Sequence, residues 1–193
     1  MPYQVTRRFE EALCEYTGAR YAVAVNSCTA ALLLCLEWFK PLIVSIPKHT
    51  YISVPQVIIR NGAKVKWRDE EWTGAYRLEP LPVWDYARRF TSGMYVPGEF
   101  QCVSFAAAKI LGIEQGGAIL HDDPIVDSWF RRMRFDGRTE GKSTEDITEV
   151  GHHVIMLPSI AAQALLRLYH LPKHNPDMPG CPYPDLSQVE VFK

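Results

Sequence analysis

The chain has 193 residues with 47% apolar and 22% charged side chains, enough for one sizeable core of ordinary globular composition. The formal net charge of −1 supplies no field for nucleic acid or an anionic membrane. No apolar run reaches the about 18 residues of a bilayer span, so neither nucleic acid nor membrane is expected as a partner.

The start, "MPYQVTRRFEE", is charged and amphipathic, unlike the apolar core of a signal peptide, and a cytoplasmic location is expected. "YAVAV" (21–25) and "LIVSI" (42–46) predict buried strands, separated by "TAALLLCLEWF" (29–39), a helix apolar nearly all round. "YISVPQVIIRNG" (51–62) predicts a helix started near Pro55 and stopped by Asn61-Gly62. "AKVKWRD" (63–69), "LPVWD" (81–85), "CVSFA" (102–106) and "GGAIL" (116–120) complete a set of six strands. "DPIVDSWFRRMRF" (123–135) predicts an amphipathic helix with Asp123 as cap and Pro124 at its first position, and "PSIAAQALLRLYH" (158–170) starts with proline too. Strand–helix alternation argues for an α/β three-layer sandwich with a mainly parallel sheet. The domain boundary falls at 170; residues 171–193, with five prolines and no periodicity, read as an extended arm, disordered or laid across a partner. The five cysteines, at 14, 28, 35, 102 and 181, form no CxxC pair and read as reduced thiols. Adjacent His152 and His153 have diverging side chains and no matching ligand set, so no metal is expected.

Four stations carry residues suited to chemistry. "VAVNSCTAALLL" is a strand, a tight turn and a helix start, where Ser27 or Thr29 can cap and free N–H groups can seat a phosphate. Asp85 stands just past a buried strand, at the end that faces the ligand crevice in open α/β sheets. Tyr51 begins a helix after another strand end, and Ser104 and Lys109 flank a third, ahead of Gly116-Gly117. Each has an ordinary alternative: capping for Ser27, Thr29 and Asp85, core packing for Tyr51, a solvated surface for Lys109. Together, a phosphate seat, an aromatic, a carboxylate and a serine followed five residues later by lysine are what pyridoxal phosphate requires. The lysine amine condenses with its aldehyde, the carboxylate keeps its ring nitrogen protonated, the aromatic stacks on it and the serine bonds its phosphate.

The stretches "FEEALCEYTGARYAVAVNSCTAALLL", "IPKHTYISVPQVIIRNGAKV", "YRLEP", "WDYA", "SFAAAKILGIEQGGAILHDD", "RRMRFDGR" and "GHHVIMLPSIAAQALLRL" resemble, in order, the DegT/DnrJ/EryC1/StrS nucleotide-sugar aminotransferases. The resemblance implies the large domain of a type I pyridoxal-phosphate transferase over residues 1–170, in shortened form. It makes Lys109 the cofactor-binding lysine, Asp85 the ring-nitrogen partner and Tyr51 the stacking aromatic, with Cys28, Thr29 and Ser104 where the phosphate is held. Departures are Cys28 in place of glycine, Arg88 where Gln or His stands near the cofactor oxygen, and Gln115 in place of glutamate. His153-Val154-Ile155 replaces an Asn-aromatic-Arg stretch that reaches the neighbouring subunit's cofactor. A helix, strand and helix between "YRLEP" and "LPVWD", and most of a small C-terminal domain, have no counterpart here.

The implied function is amino transfer from an amino acid, glutamate the expected donor, to a nucleotide-linked keto-sugar. The implied assembly is a homodimer with shared sites, for which Trp129-Phe130 and the stretch from Ile160 to Leu168 would supply apolar surface. The rival is a binding or regulatory homologue that keeps the fold without turnover. A nucleotide binder without pyridoxal phosphate is disfavoured, because no GxGxxG follows the first strand.

Overall fold

The computed structural model describes residues 3–179 and 183–192. Cys181 lies outside them; Cys14, Cys28, Cys35 and Cys102 are free thiols. In chain order the elements are α1 (Gln4–Thr17), β1 (Tyr21–Val25), α2 (Cys28–Phe39), β2 (Ile43–Pro47), α3 (Ser53–Arg60), β3 (Lys64–Arg68) and β4 (Tyr76–Leu78). They continue as β5 (Val83–Tyr86), β6 (Phe100–Ser104), β7 (Gly117–His121), α4 (Pro124–Met133) and α5 (Pro158–His170). Asp123 caps α4 as its sequence predicts, accepting from the N–H groups of Ile125 (2.8 Å) and Val126 (3.2 Å). Strand β6 begins and ends two residues earlier than the expected 102–106, and β4 has no counterpart among the predicted strands.

The sheet corrects the expected mainly parallel arrangement. The main sheet runs β1-β7-β6-β5-β4, and only β5 and β6 are parallel neighbours. A separate parallel pair joins β2 to β3. The reason is local: parallel neighbours need a crossover, usually a helix, whereas antiparallel ones need only a turn. Residues 105–116, between β6 and β7, form no helix, and β4 turns directly into β5 at 79–82. The β2–β3 pair meets the main sheet at one bridge, where Ser45 N–H donates to Glu79 O (2.8 Å) and Glu79 N–H to Ser45 O (3.1 Å). Strand β4 thus stands between the two parts, with β5 on one side and β2 on the other.

Both faces of the main sheet are covered. Val23, Val25, Cys102 and Ile119 face a core shared with α2, α3 and α4, while Ala22, Ala24, Val103, Ala118 and Leu120 face α1 and α5. A buried ion network ties α1 to α4 and β1. Glu10 of α1 pairs with Arg131 (2.6 Å) and Arg134 at the end of α4, and accepts from Ala24 N–H of β1 at 2.9 Å. The two apolar stretches expected to stay open are mostly packed. Phe130 is fully buried, Trp129 packs at a tilt against Trp38 (ring centroids 5.3 Å apart), and Ala161, Ala164 and Leu168 face the core, leaving Leu166 and Tyr169 of α5 exposed.

The described part of the arm lies on its own chain. Asn175 donates to Phe90 O (3.2 Å) and Tyr16 Oη (2.8 Å), and Asp177 pairs with Arg89 (2.5 Å). Gly74 (φ 72°) permits that approach, since a Cβ there would strike the Asp177 carboxylate. Beyond the described gap, Tyr183 O bonds His49 Nδ1 (2.9 Å), Leu186 is buried, and Phe192 packs edge-on against Trp67 at 6.2 Å.

Candidate functional site

The site begins where β1 turns into α2. Ser27 is extended (φ −165°, ψ 159°) and its Oγ accepts from Ala30 N–H at 3.1 Å, while the N–H groups of Cys28 and Thr29, in the first turn, have no partner within the helix. The Cys28 side chain turns inward: its thiol reaches Cys102 O (3.4 Å) and stands 3.9 Å from Asp85 Oδ1. Burial, with the Asp85 carboxylate next, pushes the thiol well above its usual pKa. Gly117 explains how β7 starts so close. A Cβ there would lie 2.5 Å from the Cys28 nitrogen, so only glycine fits. Thr29 Oγ1 meets Ser53 Oγ at 2.7 Å, tying α2 to the start of α3.

That tie brings Tyr51 beside the turn, with its ring 54% exposed and its edge toward Tyr183 at 6.1 Å. Asp85 lies within β5, one residue from its end, rather than beyond it, and is 4% exposed. Its Oδ1 accepts from Ala87 N–H (2.8 Å) and its Oδ2 from Tyr76 Oη (3.0 Å). Desolvation raises its pKa; the Ala87 N–H, the Tyr76 hydroxyl, the Lys109 charge and the Cys28 thiol all pull it back down. Lys109 sits in the turn after β6, its N–H bonded to Ala106 O at 2.8 Å, and its charge acts on both Asp85 and Cys28. Ser104 ends β6 opposite Gly117.

Asp85 and Cys28 are therefore brought together at the mouth of α2, within electrostatic range of Lys109, with Thr29 and Ser53 along its side and Tyr51 two residues before Ser53. Arg88 follows β5; its backbone is held by Gly74 O (3.2 Å) and Met178 N–H (2.9 Å), and its Nε has no hydrogen-bond partner among the described residues. His153 stands apart from the group. Its exposed ring bonds Asp136 at 3.1 Å and borders, with Asn26 and Gln115, a cavity of about 210 Å³. Two residues of the cluster escaped the sequence reading, Tyr76 and Thr50, whose hydroxyls meet at 2.5 Å. The alternation Tyr76-Arg77-Leu78 signals two side chains on one buried face, but nothing in it points to Asp85.

A family model described as the DegT/DnrJ/EryC1/StrS aminotransferase family matches residues 1–74 and 93–177. The unmatched residues between these segments carry β4, β5, Asp85 and Arg88. Among solved structures the chain is similar to a DegT DnrJ EryC1 StrS aminotransferase from Brucella abortus (20% identity, TM-score 0.69, covering 87% of this chain and 59% of that one). It is similar also to a Helicobacter pylori aminotransferase involved in the biosynthesis of pseudoaminic acid (17%, TM-score 0.69, 88% and 58%). A sugar aminotransferase from Micromonospora echinospora is a third (20%, TM-score 0.73, 87% and 61%). The chain thus spans about six-tenths of the length of these structures. A search among curated proteins returns no match.

Proposed function

The chain belongs to the DegT/DnrJ/EryC1/StrS aminotransferase family, which is pyridoxal-phosphate-dependent, and from that premise we propose that it transfers an amino group from an amino acid to a nucleotide-linked keto-sugar. One observation carries the reading: a buried carboxylate, Asp85, lies within range of the Lys109 charge beside the N-terminus of α2, whose Cys28 thiol faces it. This donor set fits the cofactor. The Cys28 side chain points into the core, toward Cys102 O, so the residue that replaces glycine leaves the helix mouth open.

In this reading the N–H groups of Cys28 and Thr29, with the hydroxyls of Ser27, Thr29 and Ser104, hold the phosphate. Tyr51 would offer its exposed ring to the cofactor, Arg88 would supply a positive charge beside it, and Asp85 would keep a proton on the ring nitrogen. Lys109 would hold the cofactor through Nζ, and its free amine would be the group placed to move the proton of the substrate carbon. When bound, pyridoxal phosphate supplies the electron sink that makes that proton removable. The reading includes a homodimer, with His153 directed toward a partner's site.

The test is spectroscopic. Purified protein mixed with pyridoxal phosphate should shift the cofactor's visible absorption, and adding glutamate should bleach the shifted band in one half-reaction. No shift at all would overturn the reading. A second reading, a homologue that binds the cofactor without turnover, is favoured by the turn of His153 toward Asp136. A shifted band that no amino acid of a broad panel bleaches would decide for it.

A further inference from the structure

Strand β4 fills the place between β5 and β2, and it brings a phenol to the carboxylate at the centre of the cluster. Tyr76, Thr50 and Asp85 are 3%, 1% and 4% exposed, so their polar atoms have no water to turn to and must satisfy one another. Tyr76 Oη donates to Asp85 Oδ2 at 3.0 Å, which leaves the Thr50 hydroxyl to donate to Tyr76 at 2.5 Å. Trp72 walls the phenol edge-on at 4.8 Å and is itself held by His49 O at 2.8 Å. The Tyr76 ring therefore has one orientation. Burial keeps its hydroxyl protonated and so a donor. The groups facing Asp85 are Tyr76 from β4, Cys28 from α2, Cys102 from β6 and Lys109 from the turn that follows, with Cys35 behind Cys102 at 3.7 Å. Of these, Tyr76 is the neutral donor bonded directly to Oδ2.

We propose that Tyr76, backed by Thr50, is a positioning residue of the site: it fixes the plane of the Asp85 carboxylate and favours its ionised form. A carboxylate oxygen can accept more than one hydrogen bond, so the Tyr76 contact does not by itself exhaust Oδ2. The inference rests on the proposed function for its purpose, because a ring nitrogen is held protonated only by an ionised partner. Its physical content concerns the chain alone.

The experiment follows the Asp85 carboxyl by carbon NMR titration in the protein without cofactor, for the wild type, Tyr76→Phe and Thr50→Val. A hydrogen bond to a charged group contributes enough that Tyr76→Phe should raise the Asp85 midpoint by about one pH unit or more. Thr50→Val should move it the same way by less. In parallel, the pyridoxal phosphate dissociation constant should rise about tenfold or more in Tyr76→Phe, by the same contribution. Unchanged Asp85 midpoints in both variants would overturn the proposal and reduce Tyr76 to core packing. A wild type that binds no cofactor, with the midpoint shift intact, would overturn the proposed function and leave the role of Tyr76 toward Asp85 standing. If Tyr76→Phe fails to fold, Thr50→Val decides alone: a raised midpoint supports the proposal and an unmoved one overturns it.

Discussion

Ionising Asp85 has a cost, because burial raises its pKa above that of an exposed carboxyl. Between about 3.9, the value for an unfolded chain, and the raised folded value, the native state keeps a proton that the unfolded state has released. Stability therefore falls as pH rises through that window, and the deficit persists at neutral pH. Asp85→Asn keeps the shape and removes the charge, so it should be at least as stable as the wild type at pH 7, with the difference vanishing in acid. Urea unfolding at the two pH values measures this; a variant less stable at pH 7 would mean that the charge is net favourable. Amino transfer should meanwhile fall by about a hundredfold, the scale of losing one preorganised electrostatic contact. At this scale the sequence shows Asp85 and Lys109 as candidates, since each follows an apolar strand. It hides Tyr76 and Thr50, because Tyr76 meets Asp85 across 9 residues of chain and Thr50 meets Tyr76 across 26, contacts that no local pattern encodes.

Among the elements, α1, β1 and α4 are locked by Glu10, which is 3% exposed and serves Arg134, Arg131 and the Ala24 N–H together. Removing one partner of a buried pair leaves the other uncompensated, so Glu10→Ala should lose about 3–5 kcal/mol of stability. Chemical denaturation reads that loss, and a change under 1 kcal/mol would show that Glu140, 3.3 Å from Arg134, suffices alone. Gly117→Ala should destabilise by a different route, forcing β7 from the first turn of α2, and should weaken cofactor binding with it. Strands β1, β2, β3 and β7 and helices α2, α4 and α5 are legible from apolar runs and caps. Sheet direction is not: the run of small residues before Lys109 suits a helix, yet 105–116 closes as a loop and turns β7 antiparallel to β6. Three-residue β4 is too short to announce itself by periodicity, and its existence depends on β5 and β2 being there to receive it.

At the scale of the molecule, the arm works as part of the fold. Leu186 and Phe192 are buried, and Lys48 meets both Asp69 (3.0 Å) and Asp185 (3.5 Å). Phe192→Ala should therefore cost about 2–4 kcal/mol, near the lower end of core phenylalanine truncations because its neighbour Val191 is exposed. Proline content and lack of period conceal this, since anchoring by single residues leaves no pattern. Exposed Leu166 and Tyr169, the latter 84% accessible, are the apolar surface that the proposed homodimer would use. Light scattering should give twice the chain mass, falling on Tyr169→Glu; a monomer at all concentrations would remove the shared site. The proposal as a whole rests on one nitrogen. Borohydride reduction of the protein mixed with pyridoxal phosphate, followed by peptide mapping, should find the cofactor fixed to Lys109 and to no other lysine. Label spread over surface lysines, or none at all, would contradict it.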